Sequence, residues 1–192
     1  MVSTEIDKSN RSSLIADPGP LGLGGFALTT FVLSLANAGI VPTAGAAVLG
    51  LALFYGGIAQ LAAGMWEFVK GNTFGAVAFS SYGAFWLSFW WLLTGPGIEK
   101  AAGAAGVGSF LLGWTIFTVL MTVAALKVNR LLGLLFSVLS LTFIFLTAGA
   151  FSGIAGLTHI GGYLGLLTAA IAWYGTAAGV INSTWKRTVL PS

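Results

Sequence analysis

Residues 131–150 read LLGLLFSVLSLTFIFLTAGA, with no Asp, Glu, Lys, Arg or His anywhere in the stretch. About 20 such residues are what an α-helix needs to cross a hydrocarbon core of about 30 Å. Working outward and cutting at polar or Gly/Pro punctuation, five more segments meet the same requirement: 18–37, 45–68, 74–94, 107–126 and 161–182. Composition points the same way. The chain is 57% hydrophobic and 7% charged, where a soluble domain carries about 25% charged residues. A water-soluble fold of 192 residues has no means of hiding that much apolar surface. The expectation is an all-α membrane protein, a six-transmembrane-helix bundle in the cell membrane.

Charge gives an independent check on the count. Six spans put the N-terminus, the second and fourth loops and the C-terminus on one side, with Lys8, Arg11, Lys70, Lys127, Arg130, Lys186 and Arg187. The other side holds only Lys100, beside Glu99. The positive-inside rule then makes both termini cytoplasmic. Residues 1–17 are polar and lack the apolar core of a cleavable signal; they read as a flexible cytoplasmic tail. Residues 18–187 read as the six-helix transmembrane domain and 188–192 as a short C-terminal tail. The net charge of +3 is dispersed over loops, so nucleic acid is not an expected partner.

At 17–20 the chain reads Asp-Pro-Gly-Pro. Asp17 can act as N-cap, with Pro18 at the first helical position and Pro20 in the first turn, where a missing N–H costs nothing. Two readings stay open: a sharply defined helix start at the cytoplasmic interface and nothing more, or an electropositive helix N-terminus placed at the mouth of an anion pathway. Glycine supplies 28 residues, about twice its usual ~7% share. Gly50, Gly57, Gly64 and Gly71 recur every seven residues and are expected on one close-packing face. Gly161/Gly165 and Gly175/Gly179 are small-xxx-small pairs. Such seams join helices within one bundle or subunits within an oligomer.

No ionisable residue lies near the middle of a span, which removes the usual mark of intramembrane proton relays and tight ion sites. Glu67 is expected to pair with Lys70 at the interface, and His159 to sit solvated in the external loop. One histidine makes no metal site, and no catalytic or cofactor pattern is present; neither an enzyme nor a cofactor is expected. The interior retains weakly polar groups: Thr29, Thr30, Ser34 and Asn37 in span one, Gln60 in span two, and Ser80, Ser81 and Tyr82 in span three. Individually these satisfy backbone or bridge helices; together they line a path for a small polar solute. Trp66, Trp90, Trp91 and Trp185 fit interfacial belts.

DPGPLGL at 17–23, FYGGIAQLAAGMWEF at 54–68, GNTFG at 71–75, SSYGAFWLSF at 80–89 and RTVLP at 187–191 together resemble the acetate uptake transporter family, the succinate–acetate permeases. The family's usual Asn-Pro-Ala-Pro is replaced here by Asp-Pro-Gly-Pro, which adds a negative charge at the mouth. The resemblance implies a six-helix protomer with its own pore, a homo-hexamer, and small carboxylates (acetate, and also succinate) as substrates. It also implies a hydrophobic constriction matching Phe26, Tyr82 and Leu139, with Thr29, Thr30 and Gln60 close by; Asn37 and Ser81, from the polar residues above, complete the expected pathway. Spacing offers a separate test. Phe26, Tyr82 and Leu139 each lie eight residues past the start of an outward-running span, and Gln60 eight before the end of an inward-running one. At 1.5 Å per residue all four share a level about 12 Å into the core. Two mechanisms stay open: passage of the neutral acid, or anion and proton together, which is favoured; or a ring that opens and stays wet. The rival readings are a channel for another small solute such as ammonia or urea, and a non-transporting scaffold or sensor.

Overall fold

The computed structural model describes residues 15–191; what is expected of residues 1–14, Lys8 and Arg11 included, and of Ser192 lies outside them. The described chain is helical, and six helices are long and apolar enough to cross a membrane: α1 Gly19–Asn37, α2 Ala44–Lys70, α3 Thr73–Thr94, α4 Ile98–Val128, α5 Arg130–Ser152 and α6 Ala155–Trp185. Each packs against its sequence neighbours, and α6 also packs against α1. The six therefore form a closed circuit around a central space. The outer surface is apolar, with Leu120, Val123 and Leu126 of α4 more than 60% exposed. In water such a face would aggregate; in lipid it is the required solvent face.

The helix boundaries have local causes. Pro18 already holds helical dihedrals, φ −77° and ψ −15°, one residue ahead of regular α1. The Asp17 carboxylate accepts the Gly19 N–H at 3.1 Å, so it caps from one position further out than expected. Asn72 caps α3 through the Gly75 N–H at 3.1 Å, and Asn129 caps α5 through the Leu132 N–H at 2.8 Å. Gly71 ends α2 in the left-handed region at φ +76°. Gly103, at φ +57°, interrupts α4 after its first turn, so its continuous part begins close to the expected residue 107. The expected external loop between spans five and six shrinks to Gly153–Ile154. His159 consequently lies on the first turns of α6, exposed and next to Gly39. At the other end, Asn182 Oδ1 accepts the Val189 and Leu190 N–H groups at 2.7 and 3.0 Å. Tyr174 Oη donates to the Pro191 carbonyl at 2.6 Å. The RTVLP segment is thereby folded back onto α6.

The second span is not one regular helix. A π-helical segment, Phe54–Ala59, separates the α-helical pieces Ala44–Leu53 and Gln60–Lys70. This wider turn falls where three helices cross closely. A side chain at Gly56 would meet Thr29 of α1 and Trp86 of α3, and one at Gly25 would meet the Tyr55 carbonyl. The seven-residue glycine face is corrected for the same reason. The π turn rotates Gly50 away from the later glycines. Gly50 faces open space, Gly57 packs on Leu87, Gly64 packs on Ser80, and Gly71 is the helix cap. The pairs on α6 also make their contacts within the chain. Gly161 meets Leu146 of α5, while Gly165, Gly175 and Gly179 meet Ser34, Leu23 and Pro20 at the start and along the length of α1.

At Gly162 a Cβ would fall on the backbone of Ala38, which has no rotamer with which to yield. Gly162→Val is therefore expected to destabilise the fold by about 1–3 kcal/mol or more. Gly50→Ala, in open space, should leave it unchanged. Thermal denaturation of the two variants in one detergent checks both.

Candidate functional site

Two cavities occupy the central space. One, of about 170 Å³, opens at the N-terminal face and is lined by Asp17, Gln60, Glu67, Asn72 and Tyr82 among others. The second, of about 240 Å³, opens at the opposite face and takes in Thr30, Ser34, Asn37, Glu99 and Thr142. Phe26 and Leu139 are the two residues common to both linings. The two cavities therefore meet at these side chains. Both are almost fully buried, at 5% and 3% exposure.

Tyr82 of α3 lines the first cavity beside them. Its ring meets Phe26 edge-on, with centroids 5.7 Å apart, and is backed by Trp114 and Phe117 of α4 and Phe136 of α5. The Tyr82 hydroxyl lies 2.8 Å from Thr118 Oγ1. Thr118 gives its own proton to the Trp114 carbonyl at 2.7 Å, so Tyr82 must be the donor and Thr118 the acceptor. One hydroxyl on α4 thus fixes the ring on α3. Gln60 lines the same cavity as Phe26, Tyr82 and Leu139, so four helices each contribute one of these residues to its lining.

The other expected site residues divide. Thr30 and Asn37 line the second cavity, and the Thr30 hydroxyl is buried without a partner. Thr29 and Ser81 line neither. Thr29 is fully buried and donates to the Gly25 carbonyl at 2.8 Å; it is turned toward the α2 crossing, where Gly56 leaves room for it. Ser81 is half-buried to the side of the path. Asp17 stands at the mouth, whereas Pro18 and Pro20 line neither cavity and Pro20 packs on Gly179 of α6.

The expected pairing of Glu67 with Lys70 is corrected. Lys70 Nζ binds Asp17 Oδ1 at 2.9 Å, which neutralises the extra negative charge at the entrance. Glu67 is 1% exposed and accepts from Asn72 Nδ2 at 2.9 Å. Its place in the cavity lining was missed in the sequence because an i, i+3 cation offered a simpler partner. Thr118 was missed because nothing separates it from other span-four hydroxyls; its signal is the tyrosine it holds.

A family model described as the GPR1/FUN34/yaaH family matches residues 4–192. The chain belongs to this family. A succinate-acetate/proton symporter, SatP, of Escherichia coli K12 is 42% identical over 179 residues, covering 92% of this chain and 95% of that protein. A solved structure of the bacterial acetate channel SatP superposes with a TM-score of 0.87 at 42% identity, covering 92% of this chain and 98% of the other. An ammonia transport outward protein of Saccharomyces cerevisiae is 45% identical over 176 residues, 86% of this chain and 61% of that longer protein. The GPR1/FUN34/yaaH chain is thus a multi-pass membrane protein of a transporter and channel family and not an enzyme.

Thr118→Val removes the acceptor of the Tyr82 hydroxyl and keeps the shape. It should destabilise by about 1 kcal/mol. The Tyr82→Phe/Thr118→Val double variant should lose less than the sum of the singles, since no buried donor is then left unpaired. A thermal-denaturation double-mutant cycle measures this coupling.

Proposed function

We propose that the protein carries acetate and similar small monocarboxylates, with succinate as a further substrate, across the cell membrane through a constriction of Phe26, Tyr82 and Leu139 in each protomer. One observation carries this reading: the cavities of opposite faces have only Phe26 and Leu139 in common. Among the described residues, neither lining includes a Lys, Arg or His. A dry carboxylate passing that ring has no fixed cation to replace its lost hydration. The neutral acid, or anion and proton together, crosses at lower cost. This agrees with the Escherichia coli relative being a succinate-acetate/proton symporter. Thr30, Gln60 and Asn37 offer the hydrogen bonds on either side of the apolar ring, and Asp17 with Pro18 and Pro20 shapes the entrance.

The charge split of the loops supports cytoplasmic termini, and the exposed apolar flanks support packing of protomers into the homo-hexamer that the family resemblance implies. Ammonia is the competing solute, favoured by the name of the yeast relative and by the same absence of fixed cations. Radiolabelled acetate uptake into proteoliposomes, with ammonium as competitor, separates the two. Acetate flux unaffected by ammonium is the expected result.

If the ring limits passage, Phe26→Ala should admit larger acids from the acetate-to-butyrate series while acetate flux persists or rises. Ordinary core packing would instead lose about 3–5 kcal/mol of stability with size preference unaltered. Uptake of the series and thermal stability are measured on the same preparations, and on Tyr82→Ala and Leu139→Ala. Unchanged size preference in all three rejects the constriction.

A further inference from the structure

Glu67 is a buried carboxyl on the transport path for which the ring leaves no role. It lies on the last piece of α2, is 1% exposed and lines the N-terminal-face cavity. Its surroundings are specific. Asn72 Oδ1 is occupied by the Gly75 N–H at 3.1 Å, which fixes the amide so that Nδ2 donates to Glu67 Oε2 at 2.9 Å. The other oxygen, Oε1, lies toward Gly19, a residue of the same cavity lining. Among the described residues, the charged groups facing Glu67 are Asp17, ahead of α1, and Lys70, on its own helix, and these two bind each other at 2.9 Å. From α1 it meets Gly19 and from α3 it meets Asn72 and Gly75, all neutral. No cation among the described residues is left over for it. A carboxyl so placed exchanges a proton at lower cost than it holds an unpaired charge.

A second polar group belongs to the same cavity. Gln60 is 1% exposed, and its Oε1 is buried with no hydrogen-bond partner. Gln60 and Glu67 are seven residues apart, which in an α-helix returns to nearly the same face about 10 Å along the axis. Glu67 thus stands near the mouth and Gln60 deeper, beside Phe26 and Tyr82. An unpaired amide carbonyl is an acceptor and calls for a ligand that donates. A carboxylate offers only acceptors; a carboxylic acid offers an O–H.

We infer that Glu67 is the proton-exchange group of the pathway and Gln60 the receptor for the neutral acid. An incoming short-chain carboxylate takes the proton from the Glu67 carboxyl, giving the neutral acid and the Glu67 carboxylate. The acid moves inward, donates its O–H to Gln60 Oε1 and crosses the ring uncharged, while Glu67 regains a proton from water at the same face. In the opposite direction the arriving acid hands its proton to the Glu67 carboxylate and leaves as the anion. One acid and one proton move together either way, and no other reactant is needed. This rests on the transport reading above.

The test uses full-length protein in proteoliposomes that hold a pH-sensitive dye, with labelled acetate uptake followed across a range of external pH. Glu67→Gln keeps an oxygen for the Asn72 hydrogen bond and removes the exchangeable proton. It should lower pH-gradient-driven acetate uptake at least about tenfold and flatten its pH profile, with the melting temperature retained. A wild-type rate and profile in Glu67→Gln overturns the inference. So does a loss of equal size at every pH with a lowered melting temperature, the mark of a structural residue. Wild-type protein gives a second reading that needs no variant. Dicyclohexylcarbodiimide couples to protonated carboxyls in apolar surroundings, and mass spectrometry should find the adduct on Glu67, reduced by saturating acetate; absence of that adduct overturns the assignment. Wild-type vesicles that carry no acetate would reject the transport reading and this inference with it, whereas wild-type flux with an indifferent Glu67→Gln rejects this inference alone.

Discussion

The contact of α6 with α1 closes the circuit, and the rest of the structure depends on it. At Gly162 the two backbones approach so nearly that a Cβ would overlap Ala38, and Gly165, Gly175 and Gly179 repeat the approach toward Ser34, Leu23 and Pro20. In lipid there is no hydrophobic force to drive helix against helix, since lipid tails are as apolar as leucine. Association comes from van der Waals contact and interhelical hydrogen bonds, and small residues let that contact be close. Without the glycines α6 would stand off from α1, and the space inside would open sideways to lipid. An enclosed path, with its two cavities, presupposes this seam.

Hydroxyl groups do comparable work on the other side of the circuit. Thr115, Thr118 and Thr122 of α4 each donate to the carbonyl four residues earlier, which spends their proton and leaves their oxygen as an acceptor. Thr147 of α5 stands 2.8 Å from Thr115, and Tyr82 of α3 stands 2.8 Å from Thr118. Both must donate. The α4 threonines therefore act as a row of acceptors joining α3 and α5, in a solvent where an unpaired hydroxyl would be costly. The position of the Tyr82 ring follows from this row as well as from the aromatic side chains around it.

Among the described residues, the charged groups of the two cavity linings are Asp17, Glu67 and Glu99, and pairing at the N-terminal face is selective. Lys70 and Asp17 neutralise each other at the N-terminal face, while Glu67, three residues from Lys70, turns inward to Asn72. The GNTFG segment thereby ties several functions together. Gly71 ends α2 in the left-handed conformation that a Cβ disfavours, and Asn72 caps α3 with one atom of its amide while holding Glu67 with the other.

Six spans, their approximate limits and the lipid-facing character of the chain were legible in the sequence. They follow from local composition: a run of about 20 apolar residues must cross the bilayer wherever its neighbours lie, with its backbone bonded within the helix. That Phe26, Tyr82, Leu139 and Gln60 belong to one region was also legible, because axial position is a matter of counting residues at a fixed rise, and all four line one cavity. Direction around the helix axis was not. Thr29 and Thr30 differ by one position, yet one faces the α2 crossing and the other a cavity. That choice belongs to Gly56, a residue of another helix. Lys70 passes over Glu67 for Asp17, 53 residues away, because folding brings the start of α1 to the end of α2. The π-helical turn rotates Gly50 off the face that a seven-residue spacing assigns it. Local periodicity determined how deep each residue sits, and only the packing of the helices around one another decided what each one faces, since that depends on atoms far away in the chain.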